Sequence, residues 1–419
     1  MFLSLLILLC CATGVQAVTL DLGPSAVALN GPWKFKPGDD ARWADPATPD
    51  ADWSTIDLTP PPGAHDGDVG LSGYVPGWQA RGFAHVSGYG WYRLSVSVTN
   101  VTGEEVWLAG PAAADSAYQV FFNGRLIGHN GDFSGASPVV TSIQPRLFAL
   151  PRALWNTDGQ RLTGVIAFRV WMSKTYAAAD PQGGGLRIAP VIGARSMVDA
   201  RYRLQWLQTV EGYAVDAIEP VFFLLLALLA LSLIPFDKRD AFYPWLAAAL
   251  VLLAAARANQ AVYFWTQAES AGQFVILRGV LLDPLILGAW TLTWRAAFAL
   301  AWARRWSIAI AVLTLTLMAA HWAGLSTVSQ AARYGFILVT AAIAALGLRR
   351  DAREAAFALP ALLLMSAGLF AAELSQTGVP GIWFPFGVGV SRTQYAYAAF
   401  DVALFALLLH RLWRYRRAG

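Results

Sequence analysis

The 419-residue sequence contains two cysteines, Cys10 and Cys11, both within its first seventeen residues. From Val18 onward there is none, which excludes a disulfide framework, a thiolate nucleophile and a cysteine-ligated metal from that stretch. Lysine is also scarce. Lys34, Lys36, Lys174 and Lys238 are the only four, and none lies inside a long apolar run, so an intramembrane Schiff base is excluded. Five histidines never form the H-E-x-x-H pair of a zinc peptidase, and His321 and His410 stand alone. No Gly-rich phosphate loop and no G-x-S-x-G elbow occurs. Charged residues make up 14% of the chain, against about 25% in an ordinary soluble domain, so much of it needs an apolar surrounding.

What charge there is divides unevenly. Residues 18–205 hold 15 Lys+Arg and 16 Asp+Glu, whereas residues 206–419 hold 16 and 11. The net charge of +4 therefore comes from the apolar second half, as basic membrane flanks, and implies no nucleic-acid partner. The apolar run "FLSLLILLCCA" followed by "VQA" reads as a signal peptide over residues 1–17, too short for a spanning helix. It departs from the rule in having no Lys or Arg before the run.

Residues 18–205 alternate with period two. In "WYRLSVSV", Tyr92, Leu94, Val96 and Val98 share one face, and Arg93, Ser95 and Ser97 the other. "AYQVFFNGRLIG" places Tyr118, Val120 and Phe122 inward and turns at Asn123-Gly124, a strong hairpin signal. Ile166, Phe168, Val170 and Met172 form a third inward set. The expected fold is an all-β sandwich outside the membrane.

Five segments carry a resemblance: "LNGPWKFKPGDD", "DADWSTIDL", "GYGWYRLSVSV", "FFNGRLIGHNGDFS" and "LTGVIAFRVW". Their order over about residues 29–172 is similar to that in the jelly-roll, galactose-binding-like domain of family 2 glycoside hydrolases. In those enzymes the domain is an accessory and the catalytic carboxylates belong to a separate barrel, so the resemblance implies a carbohydrate-binding fold and carries over no hydrolysis. No catalytic residue and no cofactor is expected within residues 1–419.

The second half predicts an all-α bundle of seven spanning helices near 213–234, 241–259, 274–294, 306–324, 330–348, 355–374 and 394–412, each about long enough for a 30 Å hydrocarbon core. A basic tail occupies 413–419. With the β half outside, the inner segments carry Lys238, Arg239, Arg295, Arg304, Arg305, Arg349, Arg350, Arg353, Arg411, Arg414, Arg416 and Arg417. The outer segments carry only Arg257, Arg278, Arg333 and Arg392, so the positive-inside rule places the C-terminal end on the cytoplasmic side. Trp245, Trp265, Trp294, Trp306, Trp322, Trp383 and Trp413 fall near helix ends, as an aromatic belt would.

A leader, a jelly-roll outside and seven helices together resemble the bacterial seven-transmembrane receptors with diverse intracellular signalling modules. That resemblance implies an output module, such as a histidine kinase, diguanylate cyclase or serine/threonine phosphatase, either beyond Gly419 or as a separate partner. It also permits a homodimer.

Two residue sets are candidates for function. The loop Thr59–Gly88 is long and rich in Gly and Pro, and carries Asp66, Tyr74, Trp78, Arg81 and His85, a mixture suited to a glycan or other small polar ligand. The plainer alternative is that Trp78 and Phe83 fold the loop onto the sandwich. His65, Asp66 and Asp68 match no strong metal spacing, so no metal site is expected. In the bundle, Asp216 and Glu219 share a face of the first helix, Arg278 and Asp283 lie in the third, Glu373 ends the sixth, and Asp401 lies two turns into the seventh. Charges at that depth are costly and usually face the bundle interior. They suggest a polar cluster that couples the outer domain to the helices. The competing readings are snorkelling at the interface, a transporter or channel using these carboxylates, and an envelope scaffold that binds without signalling.

Overall fold

The computed structural model describes residues 17–22, 25–67, 69–99, 105–115, 117–158, 161–180, 182–236, 240–384 and 389–418. The leader, apart from Ala17, lies outside the described residues, as do Asp68, Lys238 and Arg239.

The N-terminal region is β-rich. Its central strand, Gly88–Thr99, pairs antiparallel with Trp33–Pro37 on one side and Arg161–Met172 on the other. Ser54–Ile56 extends the sheet at one edge, and Ala117–Phe122 followed by Arg125–Asn130 at the other. A second sheet runs in the order Leu147–Leu150, Val106–Ala109, Val191–Ala194, Val27–Ala28. Period-two alternation turns Tyr92, Leu94, Val96, Val98, Ile166, Phe168 and Val170 to one face of the first sheet, and all are buried. Leu108, Phe148, Leu150 and Ile192 of the second sheet close over the same core. Asn123 and Gly124 both take positive φ, 45° and 82°, as a type I′ hairpin turn requires.

One face departs from the alternation. Arg93, expected in solvent, is only 2% exposed. Its Nε donates to Asp50 Oδ2 at 3.1 Å, and its Nη1 to the carbonyls of Trp43 and Asp45. Trp43 and Trp53, from the segment that joins Trp33–Pro37 to Ser54–Ile56, pack with Trp91 and Ala167 and cover that face.

Among the described residues, seven helices are long and apolar enough to cross a membrane. They are span 1 (Arg195–Phe236), span 2 (Phe242–Trp265), span 3 (Ala271–Ala297), span 4 (Ala303–Trp322), span 5 (Ser326–Arg350), span 6 (Ala352–Leu369) and span 7 (Arg392–Tyr415). Three features differ from the sequence expectation. Span 1 starts at Arg195, well before 213, so the expected boundary at 205/206 falls inside one continuous helix. Its early part is too polar for lipid, but Val198 packs on Ala109 and Val191, and Arg195 lies over the Trp107 ring at 4.8 Å. Span 6 stops at Leu369, and Glu373 sits in a separate short helix, Ala371–Ser375, after a break at Phe370. Trp294 is fully buried beside Trp290 in the bundle core, so it is packing and not belt.

Candidate functional site

The loop Thr59–Gly88 spends most of its polar groups on its own shape. The Asp66 carboxylate accepts hydrogen bonds from the backbone N–H of Val69 at 2.8 Å, of Gly70 at 3.3 Å, and of Leu71. Arg81 donates to the carbonyls of Pro76 (2.8 Å) and Asp57 (2.6 Å). Trp78 is 0% exposed, with its indole N–H on the Val86 carbonyl and its ring against Phe35 and Tyr92. It offers no face to a ligand and belongs to the core. Tyr74 lies under the Arg187 guanidinium at 4.4 Å, which is itself paired with Asp115 at 2.6 Å. Burial pushes the Tyr74 phenol up to about 12. His85 is exposed and takes a positive φ of 63°.

The tip of this loop reaches the helices. Val69 packs directly on Gly212 of span 1, where any side chain at 212 would collide with it. Gly70 lies against the Phe384 ring and Gly389, and His65 stands edge-on to Phe384 at 4.8 Å. A second attachment joins Arg146 to Gln267 at 2.9 Å and the Ala271 N–H to the Val140 carbonyl at 2.8 Å. The third is covalent: strand Val191–Ala194 runs into span 1 with no intervening loop.

Gly67 lies at a cavity of about 400 Å3 in the bundle, whose walls include Arg257, Arg278, Arg333, Arg392 and Asp283. Asp216 and Glu219, three apart on span 1, face Arg257 of span 2 at 2.5 and 2.6 Å. Arg278 holds Asp283 at 2.8 Å and donates to the Ala256 carbonyl. Residues five apart diverge on an α-helix. Here a π-helical stretch, Ile276–Leu282, brings the two to one side. Arg333 of span 5 binds the Glu373 carboxylate and the Leu369 carbonyl. Arg392, at the start of span 7, donates to the carbonyls of Val379, Pro380 and Ala371 and to Ser375 Oγ. Gln394 Nε2 donates to the Gly212 carbonyl at 2.9 Å and to Asp216 Oδ2 at 2.8 Å. The docking point of Val69 is therefore hydrogen-bonded to span 7 and to the ion cluster.

Five of the six intramembrane candidates come together around this cavity: Asp216, Glu219, Arg278, Asp283 and Glu373. Asp401 joins no ion pair, and its Oδ1 has no hydrogen-bond partner, among the described residues. Arg257, Arg333, Arg392 and Gln394 were not foreseen as site residues. The arginines are visible in the sequence as outer charges, but which carboxylate each meets is set by helix packing.

At the far end of the bundle, Arg411 of span 7 pairs with Asp240 at 2.9 Å and Glu354 at 3.1 Å, and lies over Phe242 at 4.1 Å. Arg414 also binds Glu354. These groups border a second cavity of about 380 Å3. Among the described residues no group of three or more His, Cys, Asp or Glu is placed to hold a metal.

No protein-family model matches the chain, and no curated protein matches it. Among solved structures, it is similar to a Bacteroides uniformis β-glucuronidase at 19% identity and a TM-score of 0.28, over 40% of this chain and 17% of that one. A Bifidobacterium dentium β-glucuronidase complexed with coumarin-3-O-glucuronide is similar at 20% identity and a TM-score of 0.25, over 37% and 22%. A Bacteroides vulgatus β-glycosidase is similar at 17% and 0.27, over 40% and 20%. The chain thus spans about a fifth of the length of these enzymes, and the likeness is too distant to carry an argument about site or activity.

Proposed function

We propose that the protein is a multi-pass membrane sensor. Its β-rich domain, in the jelly-roll arrangement expected from the sequence, lies outside a bacterial inner membrane and takes a small, carbohydrate-like or other polar ligand. Seven helices pass the resulting change to a cytoplasmic signalling module joined to, or docked at, the end of span 7. The observation that supports this most is the single meeting point of Val69, Gly212 and Gln394: a loop of the β domain, span 1 and span 7 touch there. A ligand shifts such a system only if it binds one arrangement better than the other. The excess of arginines at the Arg411 end agrees with that end being cytoplasmic.

The test uses the full chain with a reporter kinase fused after Gly419. Gly212→Ala puts a Cβ where Val69 packs and so displaces the loop tip. The reading requires reporter activity to differ between this variant and the unchanged chain; activity indifferent to the displacement would refute it.

A transport role is the second reading. It is favoured by the π-helical stretch in span 3, by the buried Asp216 and Glu219, and by Asp401, whose Oδ1 has no hydrogen-bond partner among the described residues. Proton-coupled flux in reconstituted vesicles, lost in Asp283→Asn or Asp401→Asn, would establish it over the sensor.

A further inference from the structure

We infer that the cavity beside Gly67 binds a small anion bearing carboxylate or phosphate oxygens. Four guanidinium groups, from spans 2, 3, 5 and 7, line it. Guanidinium forks match the paired oxygens of such anions, and the match is strongest where water is scarce. Three of the four already have a carboxylate: Arg257 has Asp216 and Glu219, Arg278 has Asp283, and Arg333 has Glu373. Arg392 has none among the described residues. It is only 6% exposed, and its buried Nε has no hydrogen-bond partner among the described residues. A buried guanidinium without an anion carries a desolvation penalty that a bound anion would offset.

Two further features point the same way. Ser391, Arg392 and Thr393, at the N-terminal end of span 7, form part of the wall, and the N-terminal end of a long helix adds partial positive charge. Of the paired acids, Asp283 alone lines the cavity, while Asp216, Glu219 and Glu373 stand behind their arginines. Gln260, Ser375 and Thr393 add neutral hydrogen-bonding groups. The volume of about 400 Å3 sits at the small end of ligand cavities, which suits a small solute or a lipid headgroup and not a polymer. The signalling consequence of binding rests on the sensor reading; the binding itself does not.

The experiment follows thermal unfolding of the full chain by tryptophan fluorescence in phosphatidylcholine nanodiscs. Inorganic phosphate and succinate are titrated at ionic strength fixed with potassium chloride, with glucose as the neutral control. The site requires a saturable rise in Tm with phosphate or succinate and none with glucose. Arg392→Gln should weaken the apparent affinity by roughly tenfold or more, as loss of charge-assisted hydrogen bonds does. Arg392→Lys should retain part of it. Gly67→Trp, which adds bulk at the cavity wall where an added Cβ meets no neighbouring atom and removes no charge, should abolish it and decides the matter should Arg392→Gln not fold. In phosphatidylglycerol nanodiscs, a Tm that is already raised and no longer answers to added anion identifies the lipid headgroup as the occupant. No saturable rise in either lipid, or an equal rise in Gly67→Trp, overturns the site. Binding that leaves the fused reporter unchanged would retire the sensor reading and leave the site standing.

Discussion

Trp78 and Arg93 show how burial changes what a residue is for. Trp78 sits between Phe35 and Tyr92 with no exposed surface, so Trp78→Ala should cost about 3–5 kcal/mol of stability through a core cavity. Thermal unfolding of the purified chain checks this; a variant with unchanged Tm but weakened ligand binding would return Trp78 to the surface role that its loop position suggests. Arg93→Met should be comparably costly, about 3–5 kcal/mol, because it leaves Asp50 buried without its partner. The double change Arg93→Met/Asp50→Leu should recover a large part of that loss, which a double-mutant cycle measures directly. The period-two alternation made Tyr92, Leu94, Val96 and Val98 readable as core. It could not reveal that Arg93 is covered, because the cover comes from Trp43, Trp53 and Asp50, which lie far earlier in the chain.

At the level of elements, long apolar runs were enough to locate seven helices, since the bilayer imposes their length. They were not enough to find where span 1 begins. Its first turns are polar and are held by the β domain through Val198 and Arg195, so hydropathy marks the lipid-facing part alone. The π-helical stretch of span 3 and the break after span 6 were equally hidden, because both follow from what neighbouring helices supply. Asp216, Glu219, Arg278, Asp283 and Glu373 could be singled out by the cost of charge at that depth; the pairing of Arg257 with Asp216 and Glu219, and of Arg333 with Glu373, could not. At the end of span 7, Arg411 and Arg414 share Glu354, and Arg411 is also held by Asp240. Glu354→Gln should loosen it. Backbone hydrogen exchange over residues 408–415 should then rise several-fold while spans 2 and 3 stay protected. Unchanged protection at the end of span 7 would show that Glu354 does not hold it.

For the whole molecule, the central claim is that the position of the β-domain loop tip and the far end of span 7 are coupled through Gly212 and Gln394. Val69→Asp removes the apolar contact with Gly212 and buries a charge at the loop tip, and should release it. Release is confirmed by faster hydrogen exchange at residues 69–71. The most direct measurement is the distance distribution between spin labels at Arg305→Cys and Trp413→Cys, in a full chain with Cys10 and Cys11 replaced by serine. It is recorded in nanodiscs, once with Val69 in place and once with the Val69→Asp change. The account predicts that the distribution shifts or broadens when the tip is released. An identical distribution, with the tip released and the bundle still folding cooperatively, would contradict it.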